Sequence, residues 1–458
     1  MIARAAYAHR WRPSRYWLAA LIGGALFAVL VASSVLSIVL DSIPHRASLF
    51  GLPAIGLMAA ATIFGARAFR GRGATLRGRD LMVAAVLFGL GICSWLLVLD
   101  IFTFTQAAGP EVAAVSTLAC LPTTAIGLLV VRRLDRNEKE PWRLVLVATA
   151  WGAIVATSLV IWAETLWDAQ LGARLVPGPA LDASSAFSAG IFEELAKGVA
   201  VVLLYLTMRD EFDDVIDGIV YGAAVGLGFN LMESIAYMTH LYALYRPEGA
   251  SLAFAAAAGQ WYQRQVLGLF LGHATYTALV GAGVGVARQL RSLPQRLLAI
   301  ASGFLIAIAG HFAWDAWAQL FPVSPTSPLA VAEVHLRTLV MVGPFTAVVL
   351  LLLAQGLRVE GMALARQLEL EAEAGQGTVL ASEVRVLTSP WRRLGARLAA
   401  MARGGPLAYV RLSRLQTAQI HLAMERWHRE RQETDLLPAA EEELRRRVRE
   451  LRAATTSP

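Results

Sequence analysis

Residues 189–208 read AGIFEELAKGVAVVLLYLTM. At 1.5 Å per residue, a helix of this length crosses about 30 Å, the thickness of a bilayer's hydrocarbon core. The stretch is apolar throughout except for Glu193, Glu194 and Lys197. A charged side chain at the centre of a membrane helix costs roughly 2.5–3.5 kcal/mol on insertion scales, so three unpaired ones would cost on the order of 8–10 kcal/mol. They must therefore face protein or water. Lys197 stands four residues after Glu193 and three after Glu194, which puts the ammonium beside both carboxylates on one helix face. A structural ion pair needs one carboxylate. The second is surplus, and a surplus carboxylate inside a membrane marks a functional site.

The rest of the chain supports this setting. Of its 458 residues 56% are hydrophobic and 16% charged, with mean hydropathy +0.53, which excludes a soluble multidomain protein and points to an all-α, polytopic membrane helix bundle. Ten spans can be laid out, at 17–40, 50–69, 81–103, 112–131, 144–165, 186–208, 215–240, 265–287, 297–319 and 338–357. The first apolar run is too long for a signal-peptide core and has no small-residue cleavage site, so it reads as a retained span. Arg and Lys crowd alternate loops (Arg70, Arg72, Arg77 and Arg79, then Arg132, Arg133, Arg136 and Lys139), while the opposite loops hold few, among them Arg246, Arg264 and Arg337. That bias makes both termini cytoplasmic in a plasma (inner) membrane.

After Arg358 charge rises and span-length apolar runs cease, which predicts a cytoplasmic tail of short helices broken at GQGT and GGP. The tail is either a solvated appendage or a surface for a cytoplasmic partner or the inner leaflet, through Leu394, Leu398 and Met401. Three segments follow: N-terminal spans at 1–131, a six-span core at 132–357 and the tail at 358–458. Cys93 and Cys120 fall in apolar blocks and read as buried hydrophobes. The net charge of +7 suits anionic headgroups, and no nucleic-acid module or internal repeat is evident.

Three further spans carry rare polar residues: Asn230 and Glu233 with Phe229, then His273 with Thr277, then His311 with Trp314 and Asp315. With topology fixed, Glu193, Glu233, His273 and His311 come out roughly 10–13 Å below the outer ends of their helices, in one layer. Such a layer supports two chemistries. A glutamate can act as general base on water while a histidine or Asn230 assists at the oxyanion, or Glu and His can hold Zn²⁺. The HExxH pattern is absent, so spacing does not single out the metal. A buried ion-pair network and a proton-coupled carrier use the same residue types. Asp315 reads as a partner of His311, and Trp314 and Trp317 as packing or interfacial aromatics. The glycine runs at Gly222, Gly226 and Gly228 and at Gly281, Gly283 and Gly285 read as close helix packing.

The order EELAK (Glu193, Glu194, Lys197), DGIVYGAAVGLGFNLMES (Phe229, Glu233), HATYT (His273) and HFAWD (His311) resembles the PrsW-type intramembrane proteases, relatives of the CAAX-prenyl endopeptidases; DRNEKEPW, before the fifth span, is similar to the family's stretch there. The resemblance covers roughly residues 132–320. It departs at Ser234 and Asp315, where Asn is the expected residue. It implies proteolysis of single-span, membrane-anchored proteins, with anti-sigma factors as a substrate class. On this reading Glu193 or Glu194 is the general base and His273 the catalytic histidine. Glu233 and His311 complete the site, and Lys197, Asn230 and Asp315 support it. A Zn²⁺ ion, if used, draws on Glu193, Glu194, Glu233, His273 and His311. The rivals are a proton- or ion-coupled carrier and an inactive membrane scaffold acting through its tail.

Overall fold

The computed structural model describes residues 52–70, 88–89, 91–92, 95–98, 101–167, 180–208, 211–321, 329–431 and 438–456, and among them there is no strand. The all-α expectation therefore stands. The span expected at 17–40 lies outside the described residues, and that at 81–103 mostly does. The helices are α1 (Leu52–Arg70), α2 (Pro110–Arg132), α3 (Trp142–Ala150), α4 (Thr157–Leu166), α5 (Ala180–Thr207), α6 (Val215–Tyr245), α7 (Ala250–Trp261), α8 (His273–Gln289), α9 (Leu293–Leu320) and α10 (Ala330–Glu373). The tail forms α11 (Ala381–Leu387), α12 (Pro390–Glu430) and α13 (Pro438–Thr456). Among the described residues five segments are long and apolar enough to cross a membrane: Pro110–Arg132, Trp142–Ile161, Val215–Glu248, Leu293–Ala318 and Ala330–Glu373. With 28 residues α5 is also long enough, but it carries Glu193, Glu194 and Lys197. The protein is an integral membrane protein.

Helix α6 is the axis of the bundle, 94% of its apolar window being buried. Small residues explain how its neighbours come so close. A Cβ on Gly218 would lie 2.0 Å from the Gly281 carbonyl oxygen, and one on Gly226 would lie 2.4 Å from that of His273. α6 and α8 thus run antiparallel with backbones in contact, as the glycine pattern predicted, and this contact fixes where His273 meets α6. On another face Gly228 packs on the Thr149 carbonyl. Between α3 and α4 a π-helical turn, Trp151–Ala156, lets Trp151 Nε1 donate to the Ala196 carbonyl of α5 (3.0 Å).

Two boundaries differ from the sequence reading. The eighth span is not one helix over 265–287: α7 continues through a π-helical turn, Tyr262–Leu267, the chain breaks over 268–272, and α8 starts at His273. Broken backbone at membrane depth is tolerated where it lines a cavity, and Gly268, Leu271 and Gly272 do line one. Local bonds satisfy it, since Thr275 N–H donates to Gly272 O (2.9 Å) and Thr275 Oγ1 to Phe270 O (2.5 Å). The tenth span runs without a break into the tail as α10, 44 residues long, and stops where Gly375 and Gly377 take φ of +65° and +72°. In the tail, α12 is two helices that meet at the non-helical Gly404 and Gly405.

The expected breaks at GQGT and GGP are both present. The tail has its own small core of Leu364, Leu368, Val379, Leu387, Ile420 and Met424, whereas Leu394, Leu398 and Met401 are exposed. It packs on one end of the bundle, where His428 Nε2 meets Glu138 Oε2 (2.9 Å) and Asn137 Nδ2 donates to Glu360 Oε2 (3.1 Å). Cys120 is buried and approaches the Met238 sulfur (3.6 Å), while Cys93 lies outside the described residues.

Candidate active site

Four helices bring the four motifs together. On α5, Lys197 Nζ lies 2.7 Å from Glu194 Oε1 and 3.0 Å from Glu193 Oε2, so one ammonium bridges both carboxylates. It also donates to His273 Nδ1 (3.1 Å) and sits 4.3 Å over the Phe229 ring. His273, the first residue of α8, directs its other nitrogen, Nε2, at Glu233 Oε2 on α6 (2.5 Å). An ammonium can only donate. His273 Nδ1 is therefore the acceptor, which leaves the ring proton on Nε2, beside Glu233. On α9, His311 Nδ1 meets Glu194 Oε1 (2.9 Å), and its Nε2 lies between Asp315 Oδ2 (3.4 Å) and Glu193 Oε2 (3.6 Å). The two imidazoles are 5.1 Å apart, and Tyr276 stacks on His311 at 5.2 Å.

The carboxylates of EELAK have different surroundings. Glu193 lines a cavity of about 530 Å³ together with Glu233, His273, His311 and Asp315. Glu194 lies behind it, fully buried, held by Lys197, His311 and the Thr277 hydroxyl (3.4 Å). The second carboxylate is therefore not surplus to the ion pair, as the sequence suggested: it fixes both the ammonium and an imidazole.

Every site residue expected from sequence is in or against this cluster. Asn230 and Asp315 line the cavity, but the Asn230 amide is engaged, donating to the Arg264 carbonyl (3.1 Å). Ser234, one of the two departures, faces away: its hydroxyl donates to Asn230 O (2.5 Å) and accepts from Gln265 Nε2 (2.9 Å). Trp314 lines the cavity as well as packing against the core.

One residue was missed. Arg264, counted above as an outer-loop charge, pairs with Glu233 through Nη1 (2.8 Å), covers the Tyr237 ring at 4.0 Å and lines the cavity. Its signal was a lone charge in the otherwise apolar or amide-bearing run AGQWYQRQVLG (258–268).

Donor atoms of Glu193, Glu194, His273 and His311 lie within 4.8 Å of one another, close enough to hold a metal ion. The charge balance agrees. Among the described residues, Glu193, Glu194, Glu233 and Asp315 face only Lys197 and Arg264 as fixed cations, and the difference can be met by protons or by a divalent cation. The donor types, imidazole and carboxylate, are those of a catalytic Zn²⁺ site.

Comparison with known proteins agrees with the motifs. Residues 140–353 match the family model described as PrsW family intramembrane metalloprotease. Protease PrsW of Geobacillus kaustophilus (strain HTA426) is 35% identical over 104 residues, which are 23% of this chain and 43% of that protein, so the match spans less than half the relative's length. No solved structure matches. By its four ordered motifs, the family match and this relative, the chain is similar to the PrsW intramembrane proteases over residues 140–353.

Proposed function

We propose that the cavity hydrolyses peptide bonds of membrane-anchored proteins, with Glu193 as the base that activates water. The observation carrying this reading is that Glu193 alone of the EELAK carboxylates lines the cavity, with Lys197 behind it and His273 and His311 on either side. The ammonium orients the carboxylate. Glu193 takes a proton from water as the water oxygen attacks the scissile carbonyl carbon, and the developing oxyanion is met by the positive charge of Arg264. As the C–N bond breaks, that proton passes by way of His311 Nε2 to the leaving amine. The products are a carboxylic acid and an amine. His273, held by Glu233 on one side and Lys197 on the other, fixes the geometry of the base.

Glu193, His273 and His311, backed by Glu194, are the residues that would hold Zn²⁺, which when bound supplies Lewis acidity and a more acidic water. In either case the substrate is a single-span protein, with anti-sigma factors the class that the family resemblance suggests. Residues 132–357 form the hydrolytic core, with further spans before it. The tail lies on the cytoplasmic side, where it offers a surface to a cytoplasmic partner.

The test is substrate trapping, comparing the membrane proteomes of cells expressing the wild type and Glu193→Gln. Single-span proteins that accumulate uncut only with the variant support hydrolysis and name the substrates. If no protein differs while both chains are folded and abundant, the hydrolytic reading fails, and ion flux in reconstituted vesicles becomes the next measurement.

A further inference from the structure

A second group of carboxylates is buried at the other end of α6. Asp217 lies sixteen residues before Glu233, about 24 Å along the helix, so this group cannot touch the reacting atoms. It draws Asp135, Glu138 and Glu140 from the loop between α2 and α3, Asp213, Asp214 and Asp217 from the start of α6, and Glu360 from α10. Few cations answer them. His428 of α12 reaches Glu138 (2.9 Å) and Asp213 (3.8 Å), and Arg288 reaches Asp213 (3.6 Å). Among the described residues no Lys, Arg or His lies within 4 Å of the carboxylates of Asp135, Glu140, Asp214, Asp217 or Glu360, although His428 acts on Asp214, Arg393 on Glu360 and Lys139 on Asp135 from farther off.

Much of this group is explained by local structure. Asp214 and Asp217 form a capping box for α6, with Asp214 Oδ1 accepting from Asp217 N–H (3.3 Å) and Asp217 Oδ2 from Asp214 N–H (3.1 Å). Tyr221 donates to Glu140, and Asn137 to Glu360. Asp135 is different. Its Oδ1 accepts from the backbone of Asn137 (3.1 Å) and Glu138 (2.9 Å), but Oδ2, on a residue only 1% exposed, has no hydrogen-bond partner among the described residues. An orphaned buried carboxylate oxygen is costly.

Asp135 and Asp217 line a cavity of about 10 Å³, the size of one water molecule or ion, together with Asp214, Glu360 and His428, while Glu140 stands beside it and not in its lining. One oxygen from each of Asp135, Glu140 and Asp217 lies within 4.8 Å of the others, a spread that a single cation with oxygen ligands at about 2.0–2.6 Å can bridge. We propose that Asp135, Glu140 and Asp217 hold a hard divalent cation, of the Mg²⁺ or Ca²⁺ class, which ties the DRNEKEPW loop to the start of α6. The donors are all oxygen, which selects such ions over Zn²⁺. The same loop carries Glu138, the partner of His428, so the cation also supports the seat of the tail.

Mn²⁺ serves as the probe, on the full-length chain purified in detergent and stripped with a chelator. The wild type is expected to bind one more Mn²⁺ per chain, by paramagnetic resonance titration, than Asp135→Asn. Mg²⁺ or Ca²⁺ should displace that ion and raise the melting temperature of the wild type but not of the variant. The variant's affinity at this site should fall at least about tenfold, the lower bound for losing even an outer-shell partner. If the two chains bind the same number of Mn²⁺ ions, or the wild type binds none that Mg²⁺ or Ca²⁺ displaces, the proposal is overturned. Should Asp135→Asn not fold, Glu140→Gln replaces it with the same expectation and the same refutation.

Discussion

Replacing Glu193 and Glu194 separately by Gln should divide catalysis from stability. Glu194 is fully buried and makes two charge-assisted contacts, to Lys197 at 2.7 Å and His311 at 2.9 Å. Gln keeps the shape, and its carbonyl can still accept from both donors, which share Oε1, but the negative charge that faces Lys197 and His311 is lost. Breaking a buried pair costs about 3–5 kcal/mol. For a core of about 200 residues, at about 2–4 °C per kcal/mol, Glu194→Gln should lower the melting temperature by roughly 6–20 °C. Glu193 shares only Lys197 at hydrogen-bond distance, its imidazole contacts being 3.5 and 3.6 Å, and it borders a cavity that can hold water. Its loss costs one charged hydrogen bond, about 1.5–3 kcal/mol, or about half the effect at Glu194. Removing the base, however, should cut cleavage by at least about 10²–10⁴-fold. The assay pairs thermal unfolding in detergent with cleavage of a trapped substrate by the folded fraction. A folded Glu193→Gln chain that cleaves normally, or a Glu194→Gln chain as stable as the wild type, would refute the division of roles.

Other substitutions test neighbouring parts of the argument. Arg264→Gln should lower kcat/KM by about 10²–10³-fold, as for loss of one oxyanion donor, and measurement on folded protein would expose an effect of stability alone. Ser234→Ala should cost only about 1 kcal/mol, for the lost bond with Gln265, and leave kcat unchanged, because the hydroxyl faces away from the cavity; a large fall in kcat would contradict that geometry. Gly281→Ala places a Cβ 1.8 Å from the Gly218 carbonyl oxygen, so α6 and α8 must separate, and a loss of about 1–3 kcal/mol or more is expected in unfolding experiments.

Much of the site was legible because helices obey a fixed period. The spacing of Glu193, Glu194 and Lys197 put them on one face, and their ammonium does bridge both acids. The equal depths inferred for Glu193, Glu233, His273 and His311 correspond to real contacts. Local spacing did not reveal the division of labour between adjacent glutamates. That depends on the packing of α9 and α8, which brings His311 and Thr277 to Glu194 and leaves Glu193 facing the cavity. The reach of α10 into the tail was obscured for a related reason. Rising charge near Arg358 marks where apolar surroundings end, but a helix needs no change of backbone there, and α10 continues to Glu373.

The broken eighth span is where hydropathy averaging was most misleading, and the physics explains why the break belongs there. A continuous helix over 265–287 would bury His273 Nδ1 and Nε2 in mid-helix and leave Arg264 at the outer end. Instead α7 descends beside α6, with Trp261 Nε1 bonded to the Ala119 carbonyl of α2 (3.0 Å), and delivers Arg264 to Glu233. The chain then interrupts at Gly268 and Gly272, and α8 begins with His273 at the level where Gly226 admits its backbone. Glu233 thus receives Arg264 from before the break and His273 from after it. A single straight helix advances about 13.5 Å between positions 264 and 273, too far for both side chains to converge on one carboxylate. The interruption is what assembles the pair, and a window that averages AGQWYQRQVLGLFLGHATYT records only that the stretch is mildly apolar.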